Sequence, residues 1–156
     1  MPIRTARPSD YQRVIHNVND WWGGRQMSQM LPKLFFVHFC STSFIIERDE
    51  RIIGFLIGFM SQTHSQEAYI HFAGVHPEYR KQGVGRTLYD QFFSTVQSLG
   101  CNRVRCVTSP VNQQSLAYHL HLGFQIEPGS AQNDSTSYHL DYDGLGEHRV
   151  LLFKHL

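Results

Sequence analysis

The sequence predicts an α+β fold built on one mixed sheet. Three observations point there. Short β-rich runs and helical patterns are interspersed, without the strict alternation of a βαβα chain. Two of the runs, Ser43 to Arg48 and Ile52 to Ser61, flank an Asp49-Glu50-Arg51 turn and read as a hairpin. Residues 67 to 91 read as a buried strand, a basic glycine loop and an amphipathic helix.

The elements follow in order. Ile3 to Ala6 is a short first strand. Pro8-Ser9-Asp10 offers a helix start, and Tyr11 to Val18 continues it. Trp21-Trp22-Gly23-Gly24-Arg25 breaks that helix, and a second is expected from about Gln26 to Phe36. The hairpin comes next, then a strand from Ala68 to Val75 that enters the glycine loop. The following helix carries Leu88, Tyr89, Phe92, Phe93, Val96 and Leu99 at three- to four-residue spacing, and Gly100 stops it. Arg103 to Thr108 is a strand, and Ser115 to Leu122 a helix capped by Gly123. Phe124 to Glu127 and His148 to Phe153 are closing strands. Pro128 to Gly146 is rich in Gly, Ser, Asn and Asp and is expected to be mostly loop.

The 156 residues suit a single domain over 1–156, and 41% apolar residues argue against disorder. With 14 basic and 13 acidic residues, net +1, and no long basic run, no nucleic-acid or membrane partner is signalled. The start, Met1-Pro2-Ile3-Arg4, has no signal-peptide pattern, and no apolar run approaches the roughly 20 residues that span a bilayer. Cys40, Cys101 and Cys106 lack metal or redox spacing, so reduced thiols and a cytoplasmic setting are expected. Among 10 histidines there is no HxxxH or HExxH, and His119 and His121 diverge on their helix, so no metal is expected.

The loop Arg80-Lys81-Gln82-Gly83-Val84-Gly85-Arg86 is the most informative stretch. A strand-to-helix junction of this kind aims several backbone N–H groups and a helix's positive end at one volume, which suits a pyrophosphate. An ordinary strand-to-helix turn has the same local pattern. The P-loop is excluded because no GxxxxGK run occurs. The dinucleotide fingerprint is excluded because Leu88 stands where its third glycine belongs.

The loop, after its lead-in Gly74-Val75-His76-Pro77, resembles the acyl-CoA loop of the GNAT acetyltransferase superfamily, Gln/Arg-x-x-Gly-x-Gly/Ala. The run from Asn112 to Gly123-Phe124 is similar to that family's second block, and the element order also fits. Trp21 to Arg25, residues 69 to 72 and Asp141 to Gly144 look like a bacterial subfamily with no assigned acceptor. The resemblance implies a twisted, mostly antiparallel sheet of about seven strands with helices on both faces. It also implies acyl transfer from acetyl-CoA to an amine by direct attack. The acceptor is expected to be a small molecule, with a protein N-terminus or lysine as the alternative acceptor. A non-catalytic acyl-CoA-binding module is the alternative of another class.

By position, the resemblance assigns the pantetheine arm to backbone groups of Ala73, Gly74 and Val75, with Asn112 and Ser115 beyond. Asn112 also suits a plain helix N-cap. The pyrophosphate falls to Arg80, Lys81, Gln82, Gly83, Val84, Gly85 and Arg86. A backbone amide near Ala73 to Val75 is the expected oxyanion donor.

An alkylamine must lose a proton before it attacks, since its pKa resembles lysine's, about 10.4. Strand alternation puts Tyr69, His71, Ala73 and Val75 on one face and makes His71 a candidate base; a hydrogen-bonded sheet histidine is the alternative. The family's usual acid, a tyrosine four residues before the Gly of Gly-Phe, is here His119, next to Tyr118. A histidine near its reference pKa of about 6.5 is a workable acid, and a packing histidine is the alternative. Trp21, Trp22, Arg25, Tyr69 and Tyr142 are the expected acceptor-side residues, with core packing the alternative for the tryptophans. Cys106 falls inside a strand and is expected to be core, not a ping-pong nucleophile. By the resemblance, late strands around Arg149 to Phe153 are a possible homodimer contact.

Overall fold

The computed structural model describes residues 1–156. The chain runs β1 (Ile3–Thr5), α1 (Asp10–Ile15), α2 (Val18–Trp21), α3 (Leu34–His38), β2 (Phe44–Arg48), β3 (Arg51–Met60) and β4 (Glu67–Val75). It continues through α4 (Val84–Ser98), β5 (Arg103–Thr108), α5 (Gln113–His121), β6 (Gln125–Glu127), β7 (Ala131–Asn133), β8 (Thr136–Tyr138) and β9 (Val150–His155). Seven strands form one sheet in the order β1-β2-β3-β4-β5-β9-β6. Only β4 and β5 pair in parallel, so the sheet is mixed and mostly antiparallel.

The β2–β3 turn holds Asp49 and Glu50 at φ 52° and 63°, the positive values a two-residue hairpin turn requires. Alternation along β2 then divides the apolar side chains between two cores. Phe44 and Ile46 join Leu88, Phe92 and Val96 of α4, whereas Ile45 joins Val14, Leu31 and Phe36 on the opposite face. Burial of such side chains contributes about 1.5–3 kcal/mol each, so α4 is held mainly by its apolar stripe. The first core is closed at its far side by Leu116 of α5 and by Phe124 and Leu152.

The structure corrects three expectations. The helix expected over Gln26 to Phe36 is a 3₁₀ turn at Ser28–Met30 followed by α3. Pro32 accounts for the split, because it lacks an N–H and keeps Leu31 out of the helical region, at φ −125° and ψ 67°. Second, the segment expected to be loop contains the β7–β8 hairpin, turned at Asp134 with φ 52°. Third, β9 is bonded to β5 on one edge and β6 on the other, so Arg149 to Phe153 offers no free edge to a second copy. The free edges of the sheet belong to β1 and β6. No helix is long and apolar enough to cross a membrane.

Candidate active site

β4 and β5 pair only over Glu67↔Arg103, Ala68↔Val104 and Tyr69↔Arg105. Beyond Tyr69 they part, while β4 stays paired with β3 as far as Val75. The sheet is therefore forked, with Cys106 the first residue of β5 past the fork.

The β3–β4 register slips at the same level. Ile57 faces Phe72 and Gly58 faces Ile70, which leaves His71 as a bulged residue. The extra residue resets the alternation, so the single face expected for Tyr69, His71, Ala73 and Val75 is corrected. Ala73 and Val75 pack against the α4 core together with Ile70. Tyr69 stacks on Phe59, and His71 stacks on Phe35 at 4.2 Å, on the opposite face with Phe72. His71 Nε2 is bonded to the Met30 carbonyl, so Nε2 carries the proton and Nδ1 keeps a free lone pair.

The His76 N–H donates to the Ile53 carbonyl at 2.8 Å. By the alternation of an antiparallel ladder, the pairs Phe55–Gly74 and Ile57–Phe72 exchange hydrogen bonds. The N–H and C=O groups of Ala73 and the N–H of Val75 then point into the fork, those of Gly74 do not, and the Val75 carbonyl is taken by Arg80 at 3.2 Å. Gly74 has a different task. A Cβ there would lie 2.6 Å from Trp22 and 2.8 Å from Phe55, so only glycine lets Trp22 lie on the strand.

At the end of β4 the loop changes direction with Lys81 at φ 62° and Gly83 at φ 86°. None of the six backbone N–H groups from Lys81 to Arg86 donates within the protein. Val84, Gly85 and Arg86 are the first turn of a 15-residue helix, so its positive end adds to those donors. Such a nest suits phosphate oxygens. The Arg80 side chain is turned away, onto the carbonyls of Val75 and Trp21. It ties the tip of β4 to α2 and shapes the loop. The Gln82 side chain likewise bonds the Glu78 carbonyl. Tyr118 reaches over the nest: a Cβ on Gly85 would lie 2.7 Å from its hydroxyl. Burial pushes the Tyr118 phenol up, so it stays a donor. Asn112 caps α5, its Oδ1 accepting from the Ser115 N–H at 3.1 Å.

His119 is only 8% exposed. Its Nδ1–H donates to the Ser115 carbonyl at 2.7 Å, and its Nε2 accepts from the Tyr89 hydroxyl at 2.9 Å. Burial pushes the imidazole pKa down, and the Ser115 carbonyl offsets this only in part. The ring is therefore neutral with both nitrogens engaged, which corrects the expectation of a cationic acid. Tyr89 is 5% exposed, and burial raises its phenol far above the ordinary range. Burial also pushes the Cys106 thiol up, which keeps it protonated and a poor nucleophile.

At the level where the β4–β5 pairing ends lies a cavity of about 370 Å³. Phe59, Tyr69, Cys106, Tyr142 and Leu151 line it together with Glu67, Arg105 and Glu127. This joins Tyr69 to Tyr142, which the sequence separates by a long stretch, and leaves out Trp21, Trp22 and Arg25. Trp21 is 6% exposed and packs on Phe55 and His76, so its expected acceptor role is corrected to core packing. Trp22 covers Phe72 and Gly74, and Arg25 is exposed, with a guanidinium that makes no hydrogen bond or ion pair. Nowhere do three or more His, Cys, Asp or Glu side chains gather to hold a metal.

A forked sheet that ends in a nest of free amides has the form of a thioester-donor site. The model of the Acetyltransferase (GNAT) family matches residues 10–124. The chain belongs to the GNAT acetyltransferase family. Its acyl donor is acetyl-CoA.

No curated protein matches this acetyltransferase, but solved structures share its fold. Ard1 from Thermoplasma volcanium is 20% identical with a TM-score of 0.77, over 99% of this chain and 97% of that one. Naa20 from Chaetomium thermophilum, solved with a bisubstrate analogue, is 18% identical with a TM-score of 0.75, over 100% and 87%. Diaminobutyrate acetyltransferase EctA from Paenibacillus lautus, solved with L-2,4-diaminobutyric acid and coenzyme A, is 18% identical with a TM-score of 0.69, over 98% and 93%. At such identities the likeness shows the fold.

Sequence reasoning missed Arg105, Glu67 and Glu127. Arg105 donates to Glu67 at 3.1 Å and to Glu127 at 3.0 Å, across 38 and 22 positions of chain. The available signal was charge alternation in Arg103-Val104-Arg105, which places two arginines on one face of a strand. Tyr89 was read only as a core position, and nothing in its spacing announced the bond to His119.

Proposed function

We propose that this acetyltransferase moves the acetyl group of acetyl-CoA to the primary amine of a small molecule, by direct attack and within one acyl-CoA-binding domain over 1–156. The observation that carries this reading is the cavity at the fork, whose volume of about 370 Å³ is that of a small-ligand site and whose lining includes Tyr69, two residues before His71 on β4. The donor's pyrophosphate sits on the amides of Lys81 to Arg86, beneath Tyr118. Its pantetheine arm lies in the fork against Ala73 and Val75, with Asn112 and Ser115 at the outer end.

The acceptor nitrogen attacks the thioester carbonyl carbon, forming the C–N bond as the carbonyl oxygen takes up charge. The Ala73 N–H, aimed into the fork, receives that oxyanion. The attacking amine gives its proton to His71 Nδ1, directly or through one water. Collapse restores the carbonyl and breaks the C–S bond, and the CoA thiolate takes a proton from solvent in the cleft. His119 takes no part as an acid and instead holds Tyr89 in place.

Acceptor-dependent thiol release from acetyl-CoA tests this. Small primary amines should support it and peptides should not. His71→Ala should cut kcat at least tenfold and remove the acid-side limb of the pH–rate profile. Release with peptides alone would overturn the small-amine reading, and a CoA-binding protein silent with both would overturn the enzyme reading. An unchanged profile in His71→Ala would remove His71 as the base.

A further inference from the structure

Two neighbours on α5 serve different ends. Successive helical residues are turned about 100° from one another, so while His119 points inward to Tyr89, Tyr118 faces another way. Its ring leans edge-on against Tyr89, with centroids 5.7 Å apart, and its hydroxyl reaches the start of α4. A Cβ on Gly85 would lie 2.7 Å from that oxygen and 3.6 Å from Val75 Cγ2. The hydroxyl, the Gly85 backbone and the tip of β4 therefore meet at one point, and only glycine leaves room for the phenol there. The hydroxyl has no hydrogen-bond partner in the protein, and the Gly85 N–H beside it has none either.

A free O–H beside a free N–H, at the positive end of a 15-residue helix, offers two donors to one anionic oxygen. The polar loop side chains do not compete for that place. Arg80 is engaged with the Val75 carbonyl, Gln82 with the Glu78 carbonyl, and Arg86 with Asp90 at 3.1 Å.

Val75 sets the position of this contact along the donor. It is the last residue of β4, where the fork gives way to the nest. Ala73, whose N–H faces the acyl group in the proposed binding mode, lies two residues back, about 6.6 Å along the strand. The hydroxyl is thus too far towards the nest to serve the sulfur. We infer that the Tyr118 hydroxyl donates to the phosphate that joins the pantetheine arm, and so makes the enzyme select donors that carry this phosphate. This rests on the donor placement proposed above, and adds to it a residue that tells one thioester from another.

The test uses three donors that differ stepwise: acetyl-CoA, S-acetyl-4′-phosphopantetheine with one phosphate, and S-acetylpantetheine with none. Calorimetry without an acceptor gives Kd for each, with the wild type and with Tyr118→Phe. The substitution keeps the ring and its contact with Tyr89, and an unchanged melting temperature checks that the fold is kept. Tyr118→Phe should weaken both phosphorylated donors about tenfold, the size of one hydrogen bond to a charged group, and leave S-acetylpantetheine unchanged. Weakening of acetyl-CoA alone would put the hydroxyl on the outer phosphate, and equal weakening of all three would put it on the arm; either result overturns the inference. Unchanged affinity for all three would overturn it as well, while a wild-type preference for phosphorylated donors would leave the nest standing. A wild type that binds S-acetylpantetheine as tightly as acetyl-CoA would overturn the donor placement itself.

Discussion

Separating the Tyr89 hydroxyl from His119 Nε2 should cost stability and leave acetyl transfer largely intact. The two groups meet at 2.9 Å where both residues are buried. Tyr89→Phe leaves the imidazole lone pair without a donor, and His119→Leu leaves the phenol without an acceptor. Each orphaned buried group costs about 1–3 kcal/mol. For a chain of this size, each single variant should lose roughly 3–10 °C in Tm. The double variant leaves neither orphan, so its cost should fall short of the sum by about 1–2 kcal/mol. Urea unfolding of the four proteins measures that coupling, and thiol release at saturating acetyl-CoA measures kcat on the same samples. The pH dependence has a definite sign. Burial lowers the folded pKa of His119, so below the unfolded value of about 6.5 the unfolded chain binds a proton that the folded ring refuses. Stability conferred by the neutral ring is present above that pH and is lost as pH falls towards the folded pKa. His119→Leu should therefore lose less stability between pH 7 and 5 than the wild type does. Additive single costs would refute the pairing. A hundredfold fall in kcat with unchanged stability would restore His119 as the acid.

Two further outcomes are expected. Gly83→Ala meets no atom within 4 Å, so its effect is backbone strain alone, and at φ 86° that strain is about 1–2 kcal/mol. If relaxation opens the amide nest, calorimetry should show acetyl-CoA affinity weakened by up to roughly 5–30-fold; unchanged affinity would argue against the nest as the pyrophosphate site. Asp10 is 1% exposed and accepts two hydrogen bonds of 2.8 Å from Arg4 and one from the Arg7 N–H. Asp10→Ala should cost about 1–3 kcal/mol in urea unfolding, because the Arg7 N–H loses its acceptor while Arg4 keeps Glu47. Burial raises the Asp10 carboxyl, but those bonds outweigh it and hold the pKa below the ordinary value. The wild type should therefore lose this contribution only as pH falls below about 3.9.

The sheet strands and α4 were legible in the sequence because each has a strong period and a glycine or turn at its end. The nest of free amides at Lys81 to Arg86 was legible for a related reason: free amides at a helix start need glycine and a fixed spacing, and both are local. What escaped is non-local or depends on register. One inserted residue at His71 turned the upper half of β4 over, and no property of His71 itself signals a bulge. The β7–β8 hairpin is short and polar, so its composition matches a loop. His119 reads as a candidate acid or a packing histidine, and the choice between them needs Tyr89, from another helix, packed on it. The Arg105 bridge to Glu67 and Glu127 needs three strands in place before it can form.

The fork leaves the sheet short of one ladder at Ala73 and Val75. In the binding mode proposed above a pantetheine arm would supply that ladder, which would make the donor a removable strand of the protein. Mass action then links folding to metabolism: at one hundred times its Kd, a ligand specific to the folded state adds about 2.7 kcal/mol of stability. In that mode the amides of Ala73 and Val75 should exchange slowly with solvent deuterium only while the donor is bound. Proteases that act on opened chains should then meet the enzyme more often when acetyl-CoA is scarce, so that its lifetime would follow the supply of its own substrate.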